Sequence, residues 1–181
     1  MNIFVLDNNP SNAAHMMCDK HVVKMIVESC QLLSTAHHVL DGQETTINTG
    51  KRKYKTYLCS KQNICKATMI NHPCTIWTRR SRANYCWLWQ HANSLCKEYT
   101  NRYVRQHSME QMLQGPLNDI PENIDKGALT EFAQAMPDAY KRQNAVDAYR
   151  AYYLGEKARF AKWKTGKIPS WWVLTSNESL V

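Results

Sequence analysis

Apolar residues return at three- and four-residue steps over three stretches of the chain, and that spacing predicts three long helices. The first pattern opens at Asn9-Pro10, where asparagine can cap free amides and proline suits a first turn. It continues to Leu40, with room for a bend near Cys18-Asp19, and stops at Asp41-Gly42. Val22, Ile26, Leu33 and Leu40, with Ala36 between the last two, form its core-facing stripe. The second pattern runs from about Thr75 to Tyr103, after Asn71-His72-Pro73, with Trp77, Tyr85, Leu88 and Leu95 among its apolar bulk. The third runs from about Gln143 to Trp163, with Val146, Tyr149, Tyr153 and Phe160 as core.

The connections read differently. Ile3 to Leu6 is a short apolar run, either a small strand or an extended arm. Residues 41–70 are polar and read as a basic surface loop, and 109–130 as an irregular connection punctuated by Gly115-Pro116 and Ile120-Pro121. Residues 174–181 read as a tail. Strand alternation is nowhere sustained, and no internal repeat is present. The expectation is therefore an all-α fold, compact and helical, with one domain over 1–181.

Charge narrows the choice of partner. The chain carries 23 Lys and Arg against 15 Asp and Glu, a net charge of +8. A surplus of that size attracts phosphates, so DNA, with nucleotides as the smaller version, is the expected partner. A membrane is not expected: no run approaches the ~18 apolar residues of a span, and no basic amphipathic helix stands out. The opening Met1-Asn2-Ile3-Phe4-Val5-Leu6-Asp7 lacks the charged start of a secretory signal, which points inside a cell. Seven cysteines without a Cys-x-x-Cys pair agree with reduced thiols. His15, Cys18 and His21 have metal-like spacing but drift across helix faces and lack a fourth ligand, so no metal is assigned.

Candidate chemistry gathers on the first helix. His21, Lys24, Glu28 and Gln31 follow at three- and four-residue steps and share one face beside the apolar stripe. An imidazole, an amine and a carboxylate together could wall an active site. The same spacing also suits a solvated face with an ordinary Lys24–Glu28 pair. Basic side chains interleaved with aromatics form a second signal. Lys51, Arg52 and Lys53, then Arg79, Arg80 and Arg82, are candidate phosphate contacts, and Trp171 and Trp172 are a candidate stacking pair or a docking plug. His72, before Pro73, suits a helix start better than a general acid or base, and His91 is a further candidate base.

Asp19-x-His21, followed at the same interval by Glu28, resembles the first helix of the phage pyrimidine-dimer DNA glycosylases known as endonuclease V. Asn71-His72-Pro73 is similar to a His-Pro segment of bacterial relatives. Pro169-Ser170-Trp171-Trp172 resembles the family's C-terminal aromatic stretch. The chain also resembles a group of uncharacterised phage proteins over nearly its whole length.

The resemblance implies a base-excision DNA N-glycosylase with an associated abasic-site lyase activity, working in the cytoplasm of an infected bacterial host. It implies a terminal α-amine as nucleophile, here that of Met1, with Glu28 handling protons and no metal or organic cofactor. Lys24, one turn before Glu28, is the substitute amine if burial lowers its pKa. The chain departs from the family where arginines would flank the glutamate, since Val27 and Gln31 stand there. Two alternatives stay open. One is a non-catalytic nucleic-acid or nucleotide binder that counters host defence. The other is an enzyme acting on nucleotides or modified bases, with His21, His72 or His91 as base.

Overall fold

The computed structural model describes residues 1–164 and 167–172. Its elements in order are α1 (Pro10–His15), α2 (Asp19–Asp41), β1 (Gln43–Asn48), β2 (Lys53–Leu58), α3 (Pro73–Thr78), α4 (Arg82–Tyr103), α5 (Glu110–Gln114), a 3-10 turn (Asp138–Tyr140) and α6 (Ala145–Lys157). The expected tail at 174–181 lies outside the described residues.

The all-α expectation is overturned by β1 and β2, which pair antiparallel from Gln43↔Leu58 to Asn48↔Lys53. With the turn between them they take up the first part, 43–58, of the 41–70 stretch that reads in the sequence as a basic loop. Thr45, Thr46, Ile47, Tyr54, Thr56 and Tyr57 are β-branched or aromatic, the types that suit a pleated surface. The turn closes where Thr49 N–H donates to the Arg52 carbonyl at 2.9 Å, with Gly50 at φ +76°. The fold is thus mixed, helical in the main with a two-stranded ribbon.

Gly42 joins α2 to the ribbon. A Cβ there would run into the backbone carbonyls of His38 and Leu58, so only glycine lets the helix end pass so close to the end of β2.

Two expected helices are divided. The first breaks between His15 and Asp19, where Cys18 is extended and its N–H donates to the Tyr153 hydroxyl at 3.0 Å. The second breaks between Thr78 and Arg82, because the Ser81 hydroxyl accepts from Asn84 N–H and caps a new helix. The third ends at Lys157, short of Trp163.

α4 packs along both α1 and α2, and Tyr85, Tyr149, Tyr153, Leu33 and Leu95 are among the side chains wholly enclosed in the core. Ile3 to Leu6 form no strand; they thread into the core as a buried arm without regular structure.

One buried ionic cluster fixes the start of α2. Arg102 on α4 is fully enclosed, and its guanidinium donates to Glu98 Oε2 at 2.8 and 3.0 Å and to Asp19 Oδ1 at 3.0 Å. It also donates to the carbonyls of Met17 and His15. Asp19 accepts Lys164 N–H as well, so this cluster ties the segment after α6 to the first turn of α2.

Candidate active site

The turns of α2 that follow this anchor carry His21, Lys24 and Glu28 toward the N-terminal arm. Glu28 is buried, and its Oε2 accepts the main-chain N–H of Asn2 at 2.7 Å while Oε1 meets Lys24 Nζ at 3.1 Å. Asn2 does more than supply that N–H. Its side-chain oxygen accepts from Ile3 and Phe4 N–H at 2.8 and 3.2 Å, and its amide donates to the Ala135 carbonyl at 2.7 Å. Phe4 sits at φ +53°, a left-handed conformation that costs a phenylalanine free energy and has to be held by its surroundings. The clamp from Asn2 supplies part of that restraint, and the Phe4 ring stacks on His21 at 4.4 Å.

These groups open onto a cavity of about 420 Å³. Met1, Lys24 and Glu28 line one side, and Phe4, Tyr152 and Phe160 give it aromatic walls. Two further cations border it. Lys157 Nζ lies 4.4 Å above the Tyr152 ring and donates to the Tyr152 hydroxyl at 3.2 Å, and Lys20 Nζ is 5.2 Å from the Phe160 ring centre. Flat apolar faces rimmed by ammonium groups suit a displaced nucleotide, whose base stacks while its phosphates seek positive charge.

His21 has no hydrogen-bond partner for Nδ1 among the described residues. Burial, then the charges of Lys157 and Lys24, push its pKa down to about 4, so the imidazole is neutral at pH 7. His72 accepts Cys74 N–H and caps α3. Burial and the Met1 ammonium lower its pKa, while Glu28 opposes them. That pattern sets His72 within the electrostatic reach of both Met1 and Glu28.

His91 is elsewhere. It is enclosed between α1 and α4, with Nδ1 2.9 Å from the Pro10 carbonyl and its ring stacked on Trp87, and burial lowers its pKa to about 4. Two histidines of this kind give a definite acid dependence. The unfolded chain takes up a proton on each near pH 6.5, and the folded protein does not until about pH 4. Their contribution to stability is therefore complete above the unfolded pKa and is lost as pH falls between those values, by up to ~1.4 kcal/mol per pH unit for each. Urea unfolding followed from neutral pH downward checks this. His91→Gln should flatten the fall by one histidine's share, and an equally steep fall in that variant would contradict it.

The structure divides the other sequence candidates. Lys24 does not have the burial that would make it a substitute nucleophile, since its side chain is 67% exposed. Lys51, Arg52 and Lys53 are exposed at the ribbon's turn, beyond the far end of α2 from the cavity. Arg80 and Arg82 are exposed around the break before α4, whereas Arg79 is half-buried and donates to the Ile70 carbonyl at 2.7 Å. Trp171 and Trp172 are half-buried against the core, with edge-on contacts to Tyr153 and, for Trp172, to Trp163 at 4.9 Å. His15 turns away to Glu98, and no cluster of three or more potential metal ligands occurs among the described residues.

Sequence reasoning did not select Asn2, Phe4, Lys20, Tyr152 or Lys157, and it placed Phe160 in the core. Lys20 stands in the same helical stretch as Glu28 and could have been found there. The α6 side carries no local signal, because it reaches the cavity only through the packing of Tyr149 and Tyr153.

A family model described as pyrimidine dimer DNA glycosylase matches residues 1–111. The chain belongs to that family. Membership places it among DNA glycosylases and makes DNA the implied substrate. No curated protein and no solved structure matches the chain. Within the matched glycosylase region lie Met1, Asn2, Phe4, Lys20, His21, Lys24 and Glu28, while Ala135, Tyr152, Lys157 and Phe160 complete the cavity from beyond it. No helix among the described residues is long and apolar enough to cross a membrane.

Proposed function

We propose that this protein is a base-excision DNA N-glycosylase with abasic-site lyase activity, and that the α-amine of Met1 is its nucleophile. The observation that carries the reading is the buried Glu28 carboxylate, held at 2.7 Å from the backbone nitrogen of residue 2 in a cavity that Met1 also lines. Kinking the duplex and displacing a nucleotide into this cavity costs roughly a few kcal/mol, which stacking on Phe4, Tyr152 or Phe160 offsets.

The amine lone pair bonds to C1′ of the sugar, and the glycosidic bond breaks with its electrons leaving on the base. Glu28 takes the proton released by the amine and delivers it to the ring oxygen as the sugar opens to a Schiff base. The same carboxylate, again ionised, can then remove a C2′ proton and drive loss of the 3′ phosphate. While positive charge develops at C1′, the carboxylate also stabilises it electrostatically.

Borohydride reduction in the presence of abasic-site duplex DNA tests the reading directly. The expected product is a covalent protein–DNA adduct that maps to the peptide beginning at Met1. An adduct on Lys24, Lys157 or Lys20 would move the nucleophile, and the absence of any adduct or strand cleavage would end the lyase assignment.

A further inference from the structure

We infer that the β1–β2 ribbon is a DNA-groove arm that grips undamaged duplex to one side of the catalytic cavity. The inference rests on the DNA-directed reading above, but not on any catalytic step. Residues 43–58 hold four cations, Lys51, Arg52, Lys53 and Lys55, and a single carboxylate, Glu44. Glu44 is already paired with Lys55 at 2.7 Å, which leaves Lys51, Arg52 and Lys53 as exposed charge at the turn.

The register separates two faces. Asn48↔Lys53, Thr46↔Lys55 and Glu44↔Tyr57 share one, and Ile47↔Tyr54, Thr45↔Thr56 and Gln43↔Leu58 share the other. The second face is the more apolar and contains the buried Thr56. The first is the more polar and carries Lys53 and Lys55, with Glu44, already paired with Lys55, as its one carboxylate. An isolated two-stranded ribbon is marginal in water, and this one touches the rest of the protein mainly near the end of α2. A B-DNA major groove is wide enough to admit a two-stranded ribbon, and phosphates on both of its walls complement the turn's charge.

Position sets where it would bind. From Lys24 to Asp41 the helix rises roughly 25 Å, equivalent to about seven base-pair steps. The ribbon is hung from that far end, so it meets duplex away from the displaced nucleotide.

The test compares the wild-type chain with a Lys51→Ser, Arg52→Ser, Lys53→Ser variant on undamaged duplex and on duplex carrying a stable abasic analogue. A control variant loses three exposed cations elsewhere, Lys97→Ser, Lys126→Ser and Lys141→Ser. The slope of log affinity against log salt should fall by about 2 to 3 in the ribbon variant, as expected for losing three phosphate contacts, and by clearly less in the control. Wild type should protect guanine N7 from methylation in a major groove flanking the analogue, and the ribbon variant should not.

An unchanged slope, an equal drop in the control, or a drop without N7 protection would each overturn the inference. Since the slope on undamaged duplex needs no chemistry, the arm can fail while the borohydride adduct forms. It can equally stand where no adduct is seen.

Discussion

Glu28→Gln lowers base release and strand cleavage by at least ~100-fold, the low end for losing a general acid–base group. The amide keeps the volume and still accepts the Asn2 N–H now received by Oε2 at 2.7 Å, so the arm stays in place. What disappears is the negative charge and the capacity to take and return a proton. Lys24 loses its partner at 3.1 Å, but its exposed ammonium is readily hydrated, so the fold should not depend on that pair. Duplex binding should persist or tighten, because a carboxylate near phosphates repels them and an amide does not. Single-turnover cleavage of abasic-site DNA, measured beside affinity for the same duplex, separates the two effects. Cleavage as fast as wild type with binding intact would end the proposed mechanism.

Arg102→Ala has the largest expected effect on stability, a loss of about 3–5 kcal/mol. The guanidinium is wholly enclosed and serves Glu98, Asp19 and two main-chain carbonyls at once. Truncation leaves the Glu98 carboxylate buried beside His15 alone and frees the first turn of α2. Arg102→Lys should lose less than alanine but should not recover the whole, since a single ammonium cannot reproduce the fork to Glu98. Equilibrium unfolding in urea measures both variants. A cost below about 1 kcal/mol for the alanine variant would mean that solvent replaces the arginine's contacts, contrary to what its burial requires.

How much of this was legible in the sequence depended on the range of the physics involved. The shared face of His21, Lys24 and Glu28 follows from helical spacing alone, and the three do line one cavity. Met1 could be joined to them only by family resemblance, because nothing local says that an N-terminal arm returns to α2. The ribbon was missed because neither face has the strict apolar alternation that marks a half-buried strand; its pattern is β-branched and charged. The break at Arg79–Ser81 was visible in principle, since Ser81 stands three residues before Asn84, but the apolar spacing runs on across it. Lys157 and Tyr152 were beyond reach, as they depend on where the packing of Tyr149 and Tyr153 sets α6. The burial of Lys24 was the reverse case. Its charge partner was evident, yet exposure depends on neighbours that spacing does not describe.

The cavity is assembled from segments far apart in the chain. Met1, Asn2 and Phe4 form part of it, and Tyr152, Lys157 and Phe160 close it from about 150 residues later. During synthesis Met1 and Glu28 emerge early, before the segment that walls and charges their pocket exists. Pairings of such separation pay their loop-closure entropy before any contact repays it, and so they form late in folding. A chain that stops short of α6 therefore carries Met1, Lys24 and Glu28 without the Tyr152, Lys157 and Phe160 that enclose them. The enclosed cavity is therefore a late product of synthesis, a delay written into the order of its residues.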